Sequence, residues 1–150
     1  MNLDPLQLLR SASMGMYDGS MLGPREGYEQ ASSIVVGLAL SIMADQLEHA
    51  AANLTEENDA MRGIFREALA AQELCADALR PRLAAAVASA DTSLVVSGLR
   101  ASNDSLRDLL GDLLASIEEN DAAPARSLEQ LIWDELNCST QRRKVGIAPF

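Results

Sequence analysis

The polar pattern most open to a chemical interpretation is Asn-Asp-x-x-Arg, which occurs twice, at Asn58-Asp59-x-x-Arg62 and at Asn103-Asp104-x-x-Arg107. The two copies could be taken for a pair of active sites. The same residue types are also common at helix N-termini. Asparagine is a preferred N-cap, and an aspartate in the first turn interacts favourably with the positive end of the helix dipole. An Asp–Arg pair at i,i+3 is common on helix surfaces. We therefore interpret Asn58 and Asn103 as helix N-caps.

Two acidic pairs could instead hold magnesium, Glu26-x-x-Glu29 and Glu56-x-x-Asp59. Their spacing resembles that of the all-helical nucleotide pyrophosphohydrolases, and the resemblance implies a magnesium-dependent hydrolase using these four carboxylates. Carboxylates that share an ion must converge within a few ångströms. A helix of nearly thirty residues would hold the two pairs about 40 Å apart. Because of this distance, we rank magnesium-dependent hydrolysis second, as the alternative function.

Histidine and cysteine provide no recognisable catalytic or metal-binding pattern. The single histidine, His49, cannot supply the two Glu-x-x-His pairs of a ferritin-like di-iron site. With Asp45 four residues earlier, it is typical of a helix-surface pair. Cys75 and Cys138 are interpreted as small buried or half-buried apolar residues. We expect no catalytic residue, no metal and no cofactor.

Helices must position all of these residues, because the chain from Pro24 onward is rich in alanine and leucine with apolar residues at three- and four-residue spacings. The fold class predicted is an all-α, up-and-down bundle of four to five helices. Proline suits a first helical position, so Pro24 is expected to start the first long helix. Asn53 and Gly98, each followed by leucine, are expected to end helices as C-caps.

A shift of 45 residues superimposes Leu54–Ala70 on Leu99–Ala115, with identical residues at six positions. The predicted stops Asn53 and Gly98 fall in the same register. This pattern indicates an internal duplication of a helical hairpin.

The predicted organisation is a flexible arm over residues 1–23 and a single domain over 24–150. The domain comprises a hairpin at 24–79, a second hairpin at 82–119 and a C-terminal helix at 124–143. A rival interpretation continues one helix from Thr92 to Asn120. It must tolerate the cap- and turn-forming stretch SGLRASNDS inside a helix, so it is ranked second.

The run Ile34–Ala44 is apolar nearly all round the helix, so more than one face must be covered. The small residues Ser33, Gly37 and Ser41 recur at four-residue steps and would let another backbone approach closely. Burial inside the bundle and a self-association surface are both consistent with this pattern. The run is shorter than the roughly 18 residues that a bilayer span requires, so no membrane span is expected.

Composition narrows the function without identifying it. The chain of 150 residues has 12 basic and 22 acidic residues, and its net charge of −10 opposes binding to nucleic acid. The N-terminal stretch has Asp4 where a secretory signal needs basic charge, and two cysteines do not suggest a disulfide framework, so we expect a cytoplasmic protein. The function expected is a non-enzymatic interaction or oligomerisation module, a homodimer with a possible further protein partner.

Overall fold

The computed structural model describes residues 4–21, 23, 27–71, 77–118, 120 and 122–144, and every regular element within them is an α-helix. The helices are α1 (Pro5–Tyr17), α2 (Tyr28–Ala70), α3 (Arg80–Ala88), α4 (Val96–Ile117) and α5 (Ala123–Arg142). The predicted all-α helical bundle is confirmed. Pro24, the expected start of the first long helix, lies outside the described residues, and α2 begins at Tyr28.

The chain divides into two compact units. Unit 1 comprises Met1–Ala50 with Lys144–Phe150, and unit 2 comprises Ala51–Arg143. The division falls inside α2, which has 43 residues. At 1.5 Å per residue this helix is about 65 Å long, more than twice the span of a small domain, so one core cannot cover it.

Unit 2 has a continuous hydrophobic core to which all four of its helices contribute. Phe65 of α2, Leu83 of α3, Leu113 of α4 and Ile132 of α5 are completely buried. The core positions of α4 recur at three- and four-residue spacings, as expected for one face of an amphipathic helix.

Unit 1 contains a helix where the sequence predicted an irregular arm. Asp4 caps α1 by accepting a hydrogen bond from the Leu6 amide at 3.0 Å, and Pro5 occupies the first turn, where a missing N–H costs nothing. In α1 the Ser13 hydroxyl donates to the Gly37 carbonyl of α2 at 2.7 Å. A Cβ on Gly37 would lie 2.9 Å from the Ser13 carbonyl oxygen. The absent side chain therefore allows the two backbones to approach.

The predicted helix ends at the asparagines and at Gly98 are wrong. Asn53 and Asn58 lie inside α2, and Gly98 and Asn103 lie inside α4, whose N-cap is Val95. The rival interpretation, a helix passing through this stretch, is closer to the structure. The break comes earlier, because α3 ends at Ala88 and Ser89 is extended. The C-terminal helix agrees with α5 to within one residue at each end.

Candidate functional site

The main polar feature of unit 2 is a hydrogen-bonded cluster of side chains between its helices, buried or half-buried except for Arg143 and here called the polar seam. Its members are Glu57, Asn58, Arg62, Asp91, Ser102, Asn103, Arg107, Ser139 and Arg143. Asp91 lies in the segment between α3 and α4, and Arg143 is the C-cap residue that follows α5. The seam therefore connects elements that are distant in sequence.

Glu57 is the anion at one end of the seam and is 1% exposed. Its carboxylate accepts hydrogen bonds from Arg107 at 2.9 Å, from Arg143 at 2.9 and 2.6 Å, from Ser139 at 3.0 Å and from Asn103 at 3.2 Å. Burial raises the pKa of Glu57, but the hydrogen bonds from Arg143, Arg107 and Ser139 outweigh it and lower the pKa to about 2. Glu57 is therefore ionised at neutral pH.

Asp91 is the anion at the other end of the seam. Arg62 donates to both of its oxygens, at 2.9 and 3.2 Å, and Asn58 and Ser102 donate as well. The hydrogen bonds from Arg62 lower the pKa of Asp91 most, burial opposes them, and the net value is about 2. The pKa of Arg62 is raised, chiefly by its hydrogen bonds to Asp91. Its Nε is the buried side-chain nitrogen without a partner among the described residues.

Two asparagines join the anionic ends. The Asn103 side-chain nitrogen donates to the Asn58 side-chain oxygen at 3.0 Å, and both residues are at most 2% exposed. Asn58 also donates to the Leu99 carbonyl at 3.4 Å. These asparagines therefore belong to a tertiary hydrogen-bond network inside two helices, which is why neither caps a helix.

The seam does not offer a free catalytic group. A carboxylate has about four lone-pair sites, and Glu57 and Asp91 each accept five hydrogen bonds from the protein. A saturated carboxylate with a low pKa is neither a proton donor at neutral pH nor an open metal ligand. In the described part of the chain, no group of three or more histidine, cysteine or acidic side chains could hold a metal ion.

A cavity of about 200 Å³ lies beside the anionic end formed by Asp91. Its lining comprises Ala90, Asp91, Thr92, Ser93, Gly98 and Ser102. Partners in the seam already occupy the Asp91 carboxylate and the Ser102 hydroxyl, and the Ser93 hydroxyl oxygen accepts a hydrogen bond from the Val95 amide at 3.1 Å, so the cavity offers few unused polar groups.

The four carboxylates proposed for magnesium are not assembled among the described residues. Glu26 lies outside them, and Glu29 lies in the first turn of α2 in unit 1. Glu56 and Asp59 lie in unit 2, where they pair with arginines. Arg142 lies 3.3 Å from Glu56. The predicted i,i+3 pair between Asp59 and Arg62 is confirmed at 3.3 Å.

Two further expectations have different outcomes. His49 lies 3.7 Å from Asp45 with both side chains largely exposed, so the predicted helix-surface pair is confirmed. Cys138 was expected to be buried or half-buried, but it is exposed, because α5 directs its neighbour Ser139 into the seam. Cys75 lies outside the described residues.

The second feature that could have a function is an apolar surface on the part of α2 that belongs to unit 1, here called the α2 stripe. Its members are Tyr28, Val35, Val36, Met43 and Leu47, which are 44% to 87% exposed. At 100° per residue they fall within an arc of about 120°. That width matches the apolar face by which a helix usually contacts a core.

The predicted small-residue positions lie on the other side of α2. Gly37 and Ser33 are buried, and the backbone that approaches Gly37 belongs to α1 of the same chain. Ser41 is half-buried. The predicted close approach therefore occurs, but it leaves the α2 stripe uncovered.

Length and composition alone would allow α2 to cross a membrane, and 11% of its most apolar window is buried. The run Ile34–Ala44 alone is too short to span a bilayer, but an 18-residue window that also includes its weakly polar neighbours is apolar enough. Core helices of soluble proteins and signal sequences meet the same criterion, so it does not identify a membrane protein.

The sequence contained one signal for the buried asparagines. Leu54, Asn58, Met61 and Phe65 follow one another at four-, three- and four-residue steps, so Asn58 occupies a core position of an apolar stripe. The partners Asp91 and Arg143 had no such signal, because they lie outside any apolar repeat.

Comparisons of the chain with protein-family models, with curated proteins and with solved structures give no match.

Proposed function

We propose that this protein is a non-enzymatic module that self-associates through the α2 stripe, forming a homodimer. The observation that carries the proposal is the exposure of this stripe, an apolar face as wide as one that normally contacts a core. Ala44 is the single buried apolar side chain among the described residues of unit 1. Unit 1 thus has large apolar side chains outside and small residues inside, an arrangement that favours association.

The state of the seam supports a non-enzymatic function. Both buried anions are fully hydrogen-bonded by the protein, so they are committed to holding helices together. A catalytic acid or base would need a pKa nearer the working pH and an open lone pair or proton.

The size of the stripe sets the expected affinity. From Tyr28 to Leu47 it extends about 30 Å along a helix about 10 Å wide. Two such faces bury roughly 600 Å² in projection, below the roughly 1,600 Å² of a standard interface. An interface this small predicts a weak dimer, with a dissociation constant in the micromolar range or higher.

Light scattering across about 1 to 100 μM protein tests the proposal. The mass should rise from the 16.0 kDa monomer towards twice that value. Val35→Glu places two like charges in the interface and should weaken association at least tenfold. Gln30→Glu adds the same charge at an exposed position off the stripe and should leave association unchanged. A monomer at every concentration would overturn the proposal.

We also propose that the two hairpins of unit 2, α2–α3 and α4–α5, are copies of one ancestral hairpin with a 45-residue offset. This departs from the pairing expected from the sequence, since the long helix continues through Asn53. The contacts support it because they are reciprocal. Arg62 reaches Ser102, 45 residues after Glu57, and Arg107, 45 residues after Arg62, reaches Glu57.

Burial supports the same offset. Met61, Ile64 and Phe65 are buried, and so are the leucines 45 residues later at 106, 109 and 110. Among relatives of this chain, positions 54–70 and 99–115 should resemble each other more than other helix pairs do. Equal resemblance at unrelated offsets would contradict the duplication.

A further inference from the structure

We infer that position 102 is a second place from which a carboxylate can pair with Arg62, because the two ends of the polar seam are one arrangement built twice. In each arrangement an arginine, a carboxylate and a serine hydroxyl are hydrogen-bonded to one another. The inference rests on the proposed duplication and extends it to the groups that hold the two hairpins together. Asp91 then replaces a carboxylate that Ser102 lacks.

At the end of the seam that contains Glu57, the three groups form a closed triangle. Arg107 donates to the Glu57 carboxylate at 2.9 Å and to the Ser139 hydroxyl oxygen at 2.7 Å. The Ser139 hydroxyl donates in turn to Glu57 at 3.0 Å. The serine therefore accepts from the cation and donates to the anion.

The end that contains Asp91 has the same triangle. Arg62 donates to the Asp91 carboxylate at 2.9 Å and to the Ser102 hydroxyl oxygen at 3.4 Å. The Ser102 hydroxyl donates to Asp91 at 2.9 Å. In both triangles a single arginine nitrogen, Nη2, reaches the carboxylate and the hydroxyl. The donors and acceptors are thus arranged in the same way at the two ends.

The groups around the triangles follow the 45-residue offset. The two arginines are 45 residues apart, and so are the two asparagines beside them. Asn103 donates to Glu57 at 3.2 Å, and Asn58 donates to Asp91 at 3.1 Å. Each asparagine therefore donates to the carboxylate at its own end of the seam.

The carboxylate and the hydroxyl have exchanged places between the two triangles. Glu57 and Ser102 are 45 residues apart on α2 and α4, yet the first supplies a carboxylate and the second a hydroxyl. The later segment of each hairpin supplies the complementary group, Asp91 after α3 and Ser139 on α5. Position 102 is therefore the equivalent of an acid that pairs with an arginine of the other hairpin.

Arg62 has an unused donor, and position 102 has space beside it. At the other end the Nε of Arg107 donates to the Asn103 side-chain oxygen at 2.9 Å. The Nε of Arg62 is buried without a partner among the described residues, and the equivalent oxygen, on Asn58, already accepts from Asn103. The cavity of about 200 Å³ borders Ser102 and leaves room for a longer side chain.

Moving the carboxylate within the full chain tests the inference. Asp91→Ser should lower the folding equilibrium constant of unit 2 by at least about a hundredfold, because it leaves the buried Arg62 without this counter-charge. Ser102→Glu alone should lower it too, since two carboxylates would then compete for one arginine. The double variant exchanges the two groups, as at the other end, and should recover to within about tenfold of the wild type.

Ser105→Glu in the Asp91→Ser background is the matched control. It adds the same side chain to an exposed position of α4, three residues after Ser102, and should restore nothing. Urea unfolding followed by the fluorescence of Trp133, on α5, measures the stability of unit 2 in all four variants.

Recovery in the double variant but not in the control would support the inference. A double variant no more stable than Asp91→Ser would overturn it, and so would equal recovery in the control. If Asp91→Ser is unfolded in water, the double variant should still fold, and a double variant that is also unfolded would overturn the inference. These failures would leave the proposed duplication to its own test among relatives.

Discussion

Replacing Glu57 with glutamine should destabilise unit 2 by about 3 kcal/mol at pH 7. The amide keeps the shape of the side chain but removes the charge that Arg107 and Arg143 share at 2.9 and 2.6 Å. Breaking a buried ion pair costs about 3 to 5 kcal/mol. The lower end of this range is expected because the side chains of Arg107 and Arg143 are 33% and 48% exposed, so water can hydrate them in the variant.

The same variant should lose part of the acid sensitivity of unit 2. The pKa of Glu57 falls from 4.5 to about 2 on folding. Its stabilisation is therefore complete above the unfolded value and is lost as the pH falls from about 4.5 to about 2. This difference between the unfolded and folded pKa of Glu57 corresponds to about 3 kcal/mol in the free energy of unfolding, at 1.36 kcal/mol per pKa unit. Asp91, with a pKa lowered from 3.8 to about 2, remains as the second source of acid sensitivity in the variant.

Urea unfolding at several pH values, followed by tryptophan fluorescence, measures both effects. The sole tryptophan, Trp133, lies on α5, so its signal reports unit 2. Glu67→Gln is the matched control, because Glu67 is an exposed acid on the same helix. It should change the free energy of unfolding by less than about 0.5 kcal/mol. A loss below about 1 kcal/mol for Glu57→Gln, with the wild-type pH dependence retained, would refute the assignment of Glu57 as a structural anion.

Four other substitutions test the packing. Gly37→Ala should release α1 from α2, because its Cβ would meet backbone atoms of Ser13 and Tyr17 at 2.9 and 3.1 Å, and limited proteolysis of α1 should accelerate. Gly111→Ala, with nothing within 4 Å, should instead stabilise α4 by about 1 kcal/mol. Asn103→Ala should cost about 2 to 3 kcal/mol in urea unfolding, because it leaves the polar seam with unpaired groups. Phe65→Ala should cost about 3 to 5 kcal/mol by the same measurement.

The sequence predicted the helical class and most of the core, because apolar spacing records which face of a helix is buried. It misplaced the helix ends around Asn53 and Gly98 for a physical reason. Asparagine and glycine favour caps through local interactions, but Asn53 donates to the Arg142 carbonyl at 3.2 Å, 89 residues away in sequence. A partner so distant in sequence cannot be seen from local residue types.

The candidate site was predictable to a smaller degree. The Asn-Asp-x-x-Arg repeat marked Asn58 and Arg62 correctly as a unit of interest, but the cap interpretation assigned them to a surface. The second anion, Asp91, lies in an irregular segment after α3, with no pattern around it. Only the tertiary fold brings Arg62 to within 2.9 Å of that carboxylate.

The placement of charge leads to a last prediction, on salt. The chain buries ions in unit 2 and presents an uncharged face on the α2 stripe, the reverse of the usual distribution. Directional hydrogen bonds in the seam can specify which helices pair, whereas in the proposed dimer the α2 stripe contributes an apolar contact without charged groups. Raising the salt from about 0.05 to about 0.5 M screens the repulsion between two chains of charge −10, so the dimer should tighten. Analytical ultracentrifugation at both salt concentrations measures the change. A dimer that weakens with salt would show that ion pairs hold it, and it would exclude the α2 stripe as the main contact.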